Sequence, residues 1–247
     1  MLTFFDCNAM IGRLAVPPRA APESLDSLIE EMRWCGIERA LVTHALAREY
    51  HPAVGNRALA EALAGHQGLY PCFVMLPLET GELPPPADLR AQMKETGAQA
   101  ARVFPGHHNY SLHPRCCARL LGWLEEEGIP LFVDLPETKW DDVAAVCRDF
   151  PGLDLILMRV GYRIDREAYP LLERHPRLRL ETSYYQPHRG VEEIVENFGA
   201  ERLLFGTGYP FFAPGGPLAA LNYAEVSPED KALIAGGNLS RLLGVGG

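Results

Sequence analysis

The sequence predicts an α/β fold, a (β/α)8 TIM barrel, on three observations. Its 247 residues match the usual length of one such barrel, about 250 residues around a single core. Short apolar, β-rich runs alternate with stretches of helical period from one end to the other, the signature of βα units around a parallel sheet. The alternation supplies eight strands without a break, so residues 1–247 are expected to form one domain.

Residues 2–6 supply the first strand. Pro22 and Glu23 then open a helix whose Leu25, Leu28, Ile29 and Met32 recur at i, i+3, i+4 and i+7, and Gly36 ends it. A second strand over 39–43 leads through a polar loop to a helix with Asn56 as N-cap, Leu59 and Leu63 on its apolar face and Gly65 at its stop. The third strand spans 69–76. Pro84, Pro85 and Pro86 resemble an inter-domain linker, but periodic signals resume at once, so they stiffen the start of the next helix instead.

Residues 100–104 form the fourth strand, followed by a loop with His107, His108 and Tyr110 and a helix from Pro114 that buries Leu120, Leu121 and Leu124 before Gly128. Residues 130–134 are the fifth strand. Thr138, three residues before Asp141, resembles a capping box for the following helix, with Asp in place of Glu or Gln. The remaining strands are 153–158, 178–182 and 202–205, separated by helices over 165–174 and 190–198. A Gly- and Pro-rich loop over 213–217 precedes a tail, 227–244, that reads as a pair of closing helices.

Composition narrows the function. Hydrophobic residues make up 47% and charged residues 22% of the chain, enough apolar surface for a packed core. The net charge of −9 and the scattering of the 23 Lys and Arg argue against nucleic acid and against anionic membrane surfaces. No apolar run approaches the roughly 18 residues of a membrane span, and the opening Met1 to Asp6 lacks the basic start of a signal peptide, so a cytoplasmic location is expected. The six cysteines contain no Cys-x-x-Cys pair and suit reduced thiols.

Two motifs carry a resemblance. Arg202-Leu203-Leu204-Phe205-Gly206-Thr207-Gly208-Tyr209-Pro210 is similar to R-L-L-F-G-S-D-Y-P, and Gly236-Gly237-Asn238-Leu239-Ser240-Arg241-Leu242-Leu243-Gly244 to G-G-N-A-x-R-L-L-G. Both patterns are those of the amidohydrolase-related family of metal-dependent hydrolases, lactonases and decarboxylases, which the whole chain resembles. The stretch from His175 to Ser183 resembles that family's seventh strand, and Phe5-Asp6-Cys7-Asn8-Ala9-Met10-Ile11-Gly12 resembles its I-D-x-H-x-H-x-G. The resemblance implies two strand-one histidines two residues apart, because a strand's period of two aims both at a divalent ion in the barrel mouth. Here those positions hold Asn8 and Met10. The histidines the family carries after strands five and six are matched by Asp134 and Arg159, and its strand-eight Asp by Gly208. A fixed cation beside a divalent ion is electrostatically unfavourable and thioether sulfur is a poor ligand for Zn, Mn or Mg, so no metal and no other cofactor is expected.

Strand ends define the site of such a barrel, which makes Asn8, His44, Arg102, His107, Asp134, Arg159, Tyr162, Glu181, Tyr184 and Thr207 the candidate lining. Asp134 and His107 are the candidate acid–base groups, and the other eight are candidate substrate contacts. Arg102 and Arg159 have the forked donors that grip a carboxylate or phosphate; alternatively Arg159 pairs with Asp134 and plugs the mouth. Tyr184, Tyr185, Tyr209, Phe211 and Phe212 either wall a small ligand or pack the closing loops. Cys7, next to Asp6, is expected to point away from the barrel interior.

Three functions remain open on this reading. One is a metal-free enzyme that hydrolyses, or opens a lactone in, a small carboxylated or carbonyl compound. Another is a non-catalytic barrel kept as a ligand-binding or protein-interaction module. The third is an unconventional metal site built from Asp134, His107, His44 and Glu181. The expected partner is a small, anionic molecule, and self-association into a homo-oligomer through the terminal helices or the Pro84 to Pro86 segment stays open.

Overall fold

A computed structural model describes residues 2–16 and 24–246. Eight parallel strands follow one another around the sheet in chain order: β1 Phe4–Ile11, β2 Ile37–His44, β3 Leu69–Val74, β4 Ala100–Val103, β5 Leu131–Asp134, β6 Leu155–Met158, β7 Leu178–Glu181 and β8 Leu203–Leu204. The ring closes where Cys7 donates its N–H to the Phe205 carbonyl and Met10 donates to that of Tyr209, both at 2.9 Å. The helices are α1 Leu25–Cys35, α2 Ala45–Glu49, α3 Pro52–Leu63, α4 Pro86–Thr96, α5 Pro114–Glu126, α6 Trp140–Asp149, α7 Asp165–Arg174, α8 Gly190–Phe198, α9 Gly215–Tyr223, α10 Pro228–Ala232 and α11 Asn238–Leu243. Together these elements make a (β/α)8 TIM barrel.

The strands' period of two sorts their side chains into two cores. Val42, Ala101, Val133, Leu157 and Leu180 face outward and pack with the buried sides of the helices, among them Leu28, Leu59, Leu120 and Ile194. Phe5, Cys7, Leu41, Cys72, Ala100, Phe132, Ile156 and Leu204 face inward and fill the barrel. The lower end is closed by Arg39, whose guanidinium lies over the Phe5 ring at 4.6 Å and donates to the Gly246 carbonyl at 2.7 Å.

Several local expectations are corrected. β1 runs past Asp6 to Ile11, and its register against β2 slips between Asp6 and Ala9, where three residues of β1 match two of β2. That extra residue is a bulge. Cys7 lies inside the barrel with Phe5, because Phe5 and not Phe4 is the inward member of the pair. Asn56 is not an N-cap. It sits within α3, where its side chain bonds both the N–H and the C=O of Val74 at 2.8 and 2.9 Å, and His51 caps the helix instead through Nδ1. The Thr138 to Asp141 capping box does not form: Lys139 is the N-cap of α6, without a side-chain bond, and the buried Thr138 hydroxyl has no partner. The polar loop after β2 contains α2, and the loop over 213–217 gives way to α9. The Pro22 and Glu23 helix start lies outside the described residues; Ser24 caps α1 by accepting from the Ser27 N–H at 3.1 Å.

Candidate functional site

One step further along the inward-facing rows, the apolar layer becomes a polar one. Ala100 is followed by Arg102 on β4 and Phe132 by Asp134 on β5, while Glu181 ends β7 and Arg159 follows β6 directly. The β1 bulge turns Asn8 inward beside Cys7, so an amide joins the layer. Arg102, Asp134, Glu181, Asn8 and Thr207 are all buried.

These groups form one network. Arg102 donates from Nη2 to Asp134 Oδ1 at 2.6 Å and from Nη1 to Asn8 Oδ1 at 3.1 Å. Asn8 Nδ2 donates to Glu181 Oε2 at 3.3 Å. Arg159 donates from Nη1 to Asp134 Oδ2 at 3.2 Å, and its backbone N–H donates to Glu181 Oε2, also at 3.2 Å. Ser183 gives Glu181 its hydroxyl at 2.8 Å and its backbone N–H. Burial pushes the Glu181 carboxyl up to about 7, against the pull of these hydrogen bonds. Both Asp134 oxygens are thus held by guanidinium groups, yet the Nε atoms of Arg102 and Arg159 are buried without a partner.

Two glycines are explained by the same packing. A Cβ at Gly206 would lie 2.2 Å from Glu181 Oε1, so the buried carboxylate requires a bare backbone there. Gly208 has φ +71, and a Cβ on it would meet Phe212 Cδ2 at 2.6 Å. Thr207 turns away from the arginines: its hydroxyl and N–H both donate to Asp6, whose carboxyl is raised by burial and lowered by these bonds and by the N–H of Asn8. Asp6 therefore ties β1 to the end of β8.

The remaining sequence candidates lie outside this network. His44 Nδ1 accepts the Leu46 N–H at 3.1 Å, which fixes that nitrogen as unprotonated, and burial lowers its pKa. His107 donates its backbone N–H to Glu137 Oε2 at 2.7 Å and places Nε2 3.7 Å from Glu49 Oε2. Tyr162 is exposed, beneath the Arg163 guanidinium at 5.3 Å from its ring. Tyr184 stacks on Phe212 with centroids 5.1 Å apart, and the Arg159 guanidinium lies 5.6 and 5.7 Å from the rings of Phe211 and Phe212. Ser183, Asp6 and Glu49 were not among the sequence candidates. Ser183 had a signal in its position two residues after Glu181, on the same side of an extended chain.

The amidohydrolase family profile matches residues 36–245. The chain belongs to the amidohydrolase family. Among solved structures, this member of the family is similar to 2,6-dihydroxybenzoate decarboxylase in complex with 2,6-dihydroxybenzoate (16% identity, 99% of this chain and 100% of that chain, TM-score 0.77). It is also similar to a dihydroxybenzoic acid decarboxylase from Polaromonas with bound manganese (16%, 99% and 97%, TM-score 0.78). A third similar structure is a candidate 2-pyrone-4,6-dicarboxylic acid hydrolase from Pseudomonas putida (18%, 99% and 98%, TM-score 0.74). No curated protein matches the sequence.

Proposed function

We propose that this chain binds a small, flat carboxylated compound at the mouth of its barrel without a divalent metal ion, and that it hydrolyses an acyl C–O bond in it, as in the opening of a lactone. The observation that carries the reading is Arg159. Its guanidinium is partly exposed at the strand end, spends Nη1 on Asp134, keeps Nε unpartnered and stands beside the aromatic faces of Phe211 and Phe212. A carboxylate suits the spare guanidinium donors, and a ring suits the aromatic wall.

A divalent ion fits this mouth poorly. The strand-one positions hold Asn8, engaged with Arg102 and Glu181, and Met10, packed among Leu14, Ala45, Val74 and Phe104. Two fixed cations occupy the oxygens of Asp134, the carboxylate at the strand-five position. Among the described residues, no group of three or more His, Cys, Asp or Glu is placed to hold a metal. In the proposed reaction the His107 imidazole takes a proton from water as the water oxygen adds to the substrate carbonyl, and returns it to the leaving oxygen when the C–O bond breaks. Glu49 Oε2 lies 3.7 Å from His107 Nε2 and orients the ring, and Asp134 positions the two arginines.

The test is calorimetric titration of EDTA-dialysed protein with benzoate, 2,6-dihydroxybenzoate and 2-pyrone-4,6-dicarboxylate, in the wild type and in Arg159→Met. Saturable binding of at least one of them is expected, weakened about 10- to 100-fold in the variant by loss of charge-assisted hydrogen bonds. No binding by any of the three, or binding only after Mn or Zn is added, overturns the reading. A second reading is favoured by the full burial of Glu181 and by the engagement of both Asp134 oxygens: a ligand-binding module without turnover. Saturable pyrone binding with no change in its ultraviolet absorbance over time would select it.

A further inference from the structure

No charged residue lies between Arg202 and Glu225, a run of 22 residues in a chain that is 22% charged. Residues 203–210 of this run are buried, but α9 is at the surface: it exposes Gly215, Gly216, Ala219, Ala220, Asn222 and Tyr223 and buries Pro217 and Leu221. Every other described helix of nine or more residues carries at least two charged side chains, as the solvent face of a surface helix ordinarily does. α9 carries none, and Tyr223 at its end is 86% exposed. An outer face without charge that ends in an open phenol has the composition of an interface core, where charged residues are depleted and tyrosine is enriched.

The spacing of the exposed residues indicates what covers them. Gly216, Ala219, Ala220 and Tyr223 stand at i, i+3, i+4 and i+7, one stripe along the helix, and the stripe is its own complement. Turned antiparallel about the midpoint between Ala219 and Ala220, it sets Tyr223 against Gly216 and Ala219 against Ala220. The bulkiest side chain then meets the position without one, at both ends, and the small residues between them let two helices approach to about 8 Å. Gln186 stands at the receiving end: its Nε2 lies 3.3 Å from where a Cβ on Gly216 would be, so an amide is in place for the incoming phenol. Beyond the other end of α9, Arg189 holds Glu225 at 2.9 Å, which gives the stripe a neutral polar rim. Two copies of a chain with net charge −9 repel one another, and along α9 they meet no like charge. We propose that α9 is the contact of a twofold homodimer, in which Tyr223 of each copy sits on Gly216 of the other, beside Gln186. A helix of nine residues spans about 13 Å, so the contact falls below the roughly 1,200 Å² of stable interfaces and the dimer dissociates at concentrations on the order of micromolar.

Sedimentation velocity of the full chain, from about 1 to about 200 µM, tests the proposal. A monomer–dimer equilibrium is expected. Tyr223→Ala should weaken it about tenfold, and Ala220→Arg, which brings two cations together at the twofold axis, should abolish it. Trp34→Ala removes an aromatic side chain that is 84% exposed on α1 and should change nothing. Because Ala220 lies next to the axis, Ala220→Cys should form a disulfide between copies under mild oxidation, whereas Ala91→Cys, exposed on α4, should not. A monomer at every concentration overturns the proposal. So does a dimer that Tyr223→Ala and Ala220→Arg both leave unchanged, since it is then assembled through another face.

Discussion

Two layers of the same barrel, one pleat apart, do opposite things. The lower layer, with Phe5, Leu41, Cys72, Ala100, Phe132, Ile156 and Leu204, contains no charge, and each side chain is interchangeable with another apolar group of its size. Two residues further along the strands, about 6.6 Å, Arg102, Asp134 and Glu181 form a buried charged layer in which each group needs a particular neighbour. The apolar layer is stable by area alone, whereas the charged layer is stable only while it is complete. Removing one member is therefore the most damaging change available to it. Arg102→Met leaves Asp134 and the Asn8 carbonyl without their main donor and should destabilise the fold by about 3–5 kcal/mol, whereas Arg102→Met with Asp134→Leu should recover most of that loss. Denaturant unfolding of both variants checks this; a nearly neutral single variant would mean that water enters the mouth and solvates Asp134.

The next effect separates the layers by pH. The apolar layer does not titrate between pH 5 and 8, but the Glu181 carboxyl, raised by burial to about 7, does. Its folded value lies above the unfolded one, so its contribution to stability is fully present below about pH 4.5 and is lost as pH rises through about 7. The total change is on the order of 3 kcal/mol. Glu181→Gln should flatten the stability profile across that window. An anion at Arg159, whose N–H bonds to Glu181, should likewise bind more tightly at pH 6 than at pH 8, and this dependence should vanish in the same variant. A wild-type profile flat from pH 5 to 8 would place the carboxyl back in the ordinary range.

How much of this was legible in the sequence follows the same division. The apolar layer and its helices were readable, because burial imposes periods of 2 and 3.6 that survive any choice among apolar residues. All eight strands were found, with ends misplaced by a residue or two except at β1. There the bulge between Asp6 and Ala9 has no sequence marker, and Phe4 and Phe5 are indistinguishable as to which one faces inward. The charged layer was readable as a set of strand-end residues but not as a network. That Arg102 would take Asp134 Oδ1 and leave Oδ2 to Arg159 depends on how far each strand has slid past its neighbour, and register is a property of the closed sheet. Asn56 was misread for a related reason: an amide that satisfies the Val74 backbone across 18 residues looks, in one dimension, like an N-cap.

The smallest expected effect asks whether the two layers are independent at all. Ile156 sits in the apolar layer on the strand that leads into Arg159, and its side chain shares no hydrogen bond with the charged network. Ile156→Val removes one methylene and should lower stability by about 0.5–1.5 kcal/mol, with carboxylate affinity at the mouth unchanged. Combined with Arg102→Met, the losses should add to within about 0.5 kcal/mol if the layers meet only through the strand backbone. Non-additivity beyond that, measured by denaturant unfolding of the double-mutant cycle, would mean that packing below sets the position of Arg159 above. The apolar layer would then belong to the site as well as to the fold, and affinity at the mouth should fall in Ile156→Val alone.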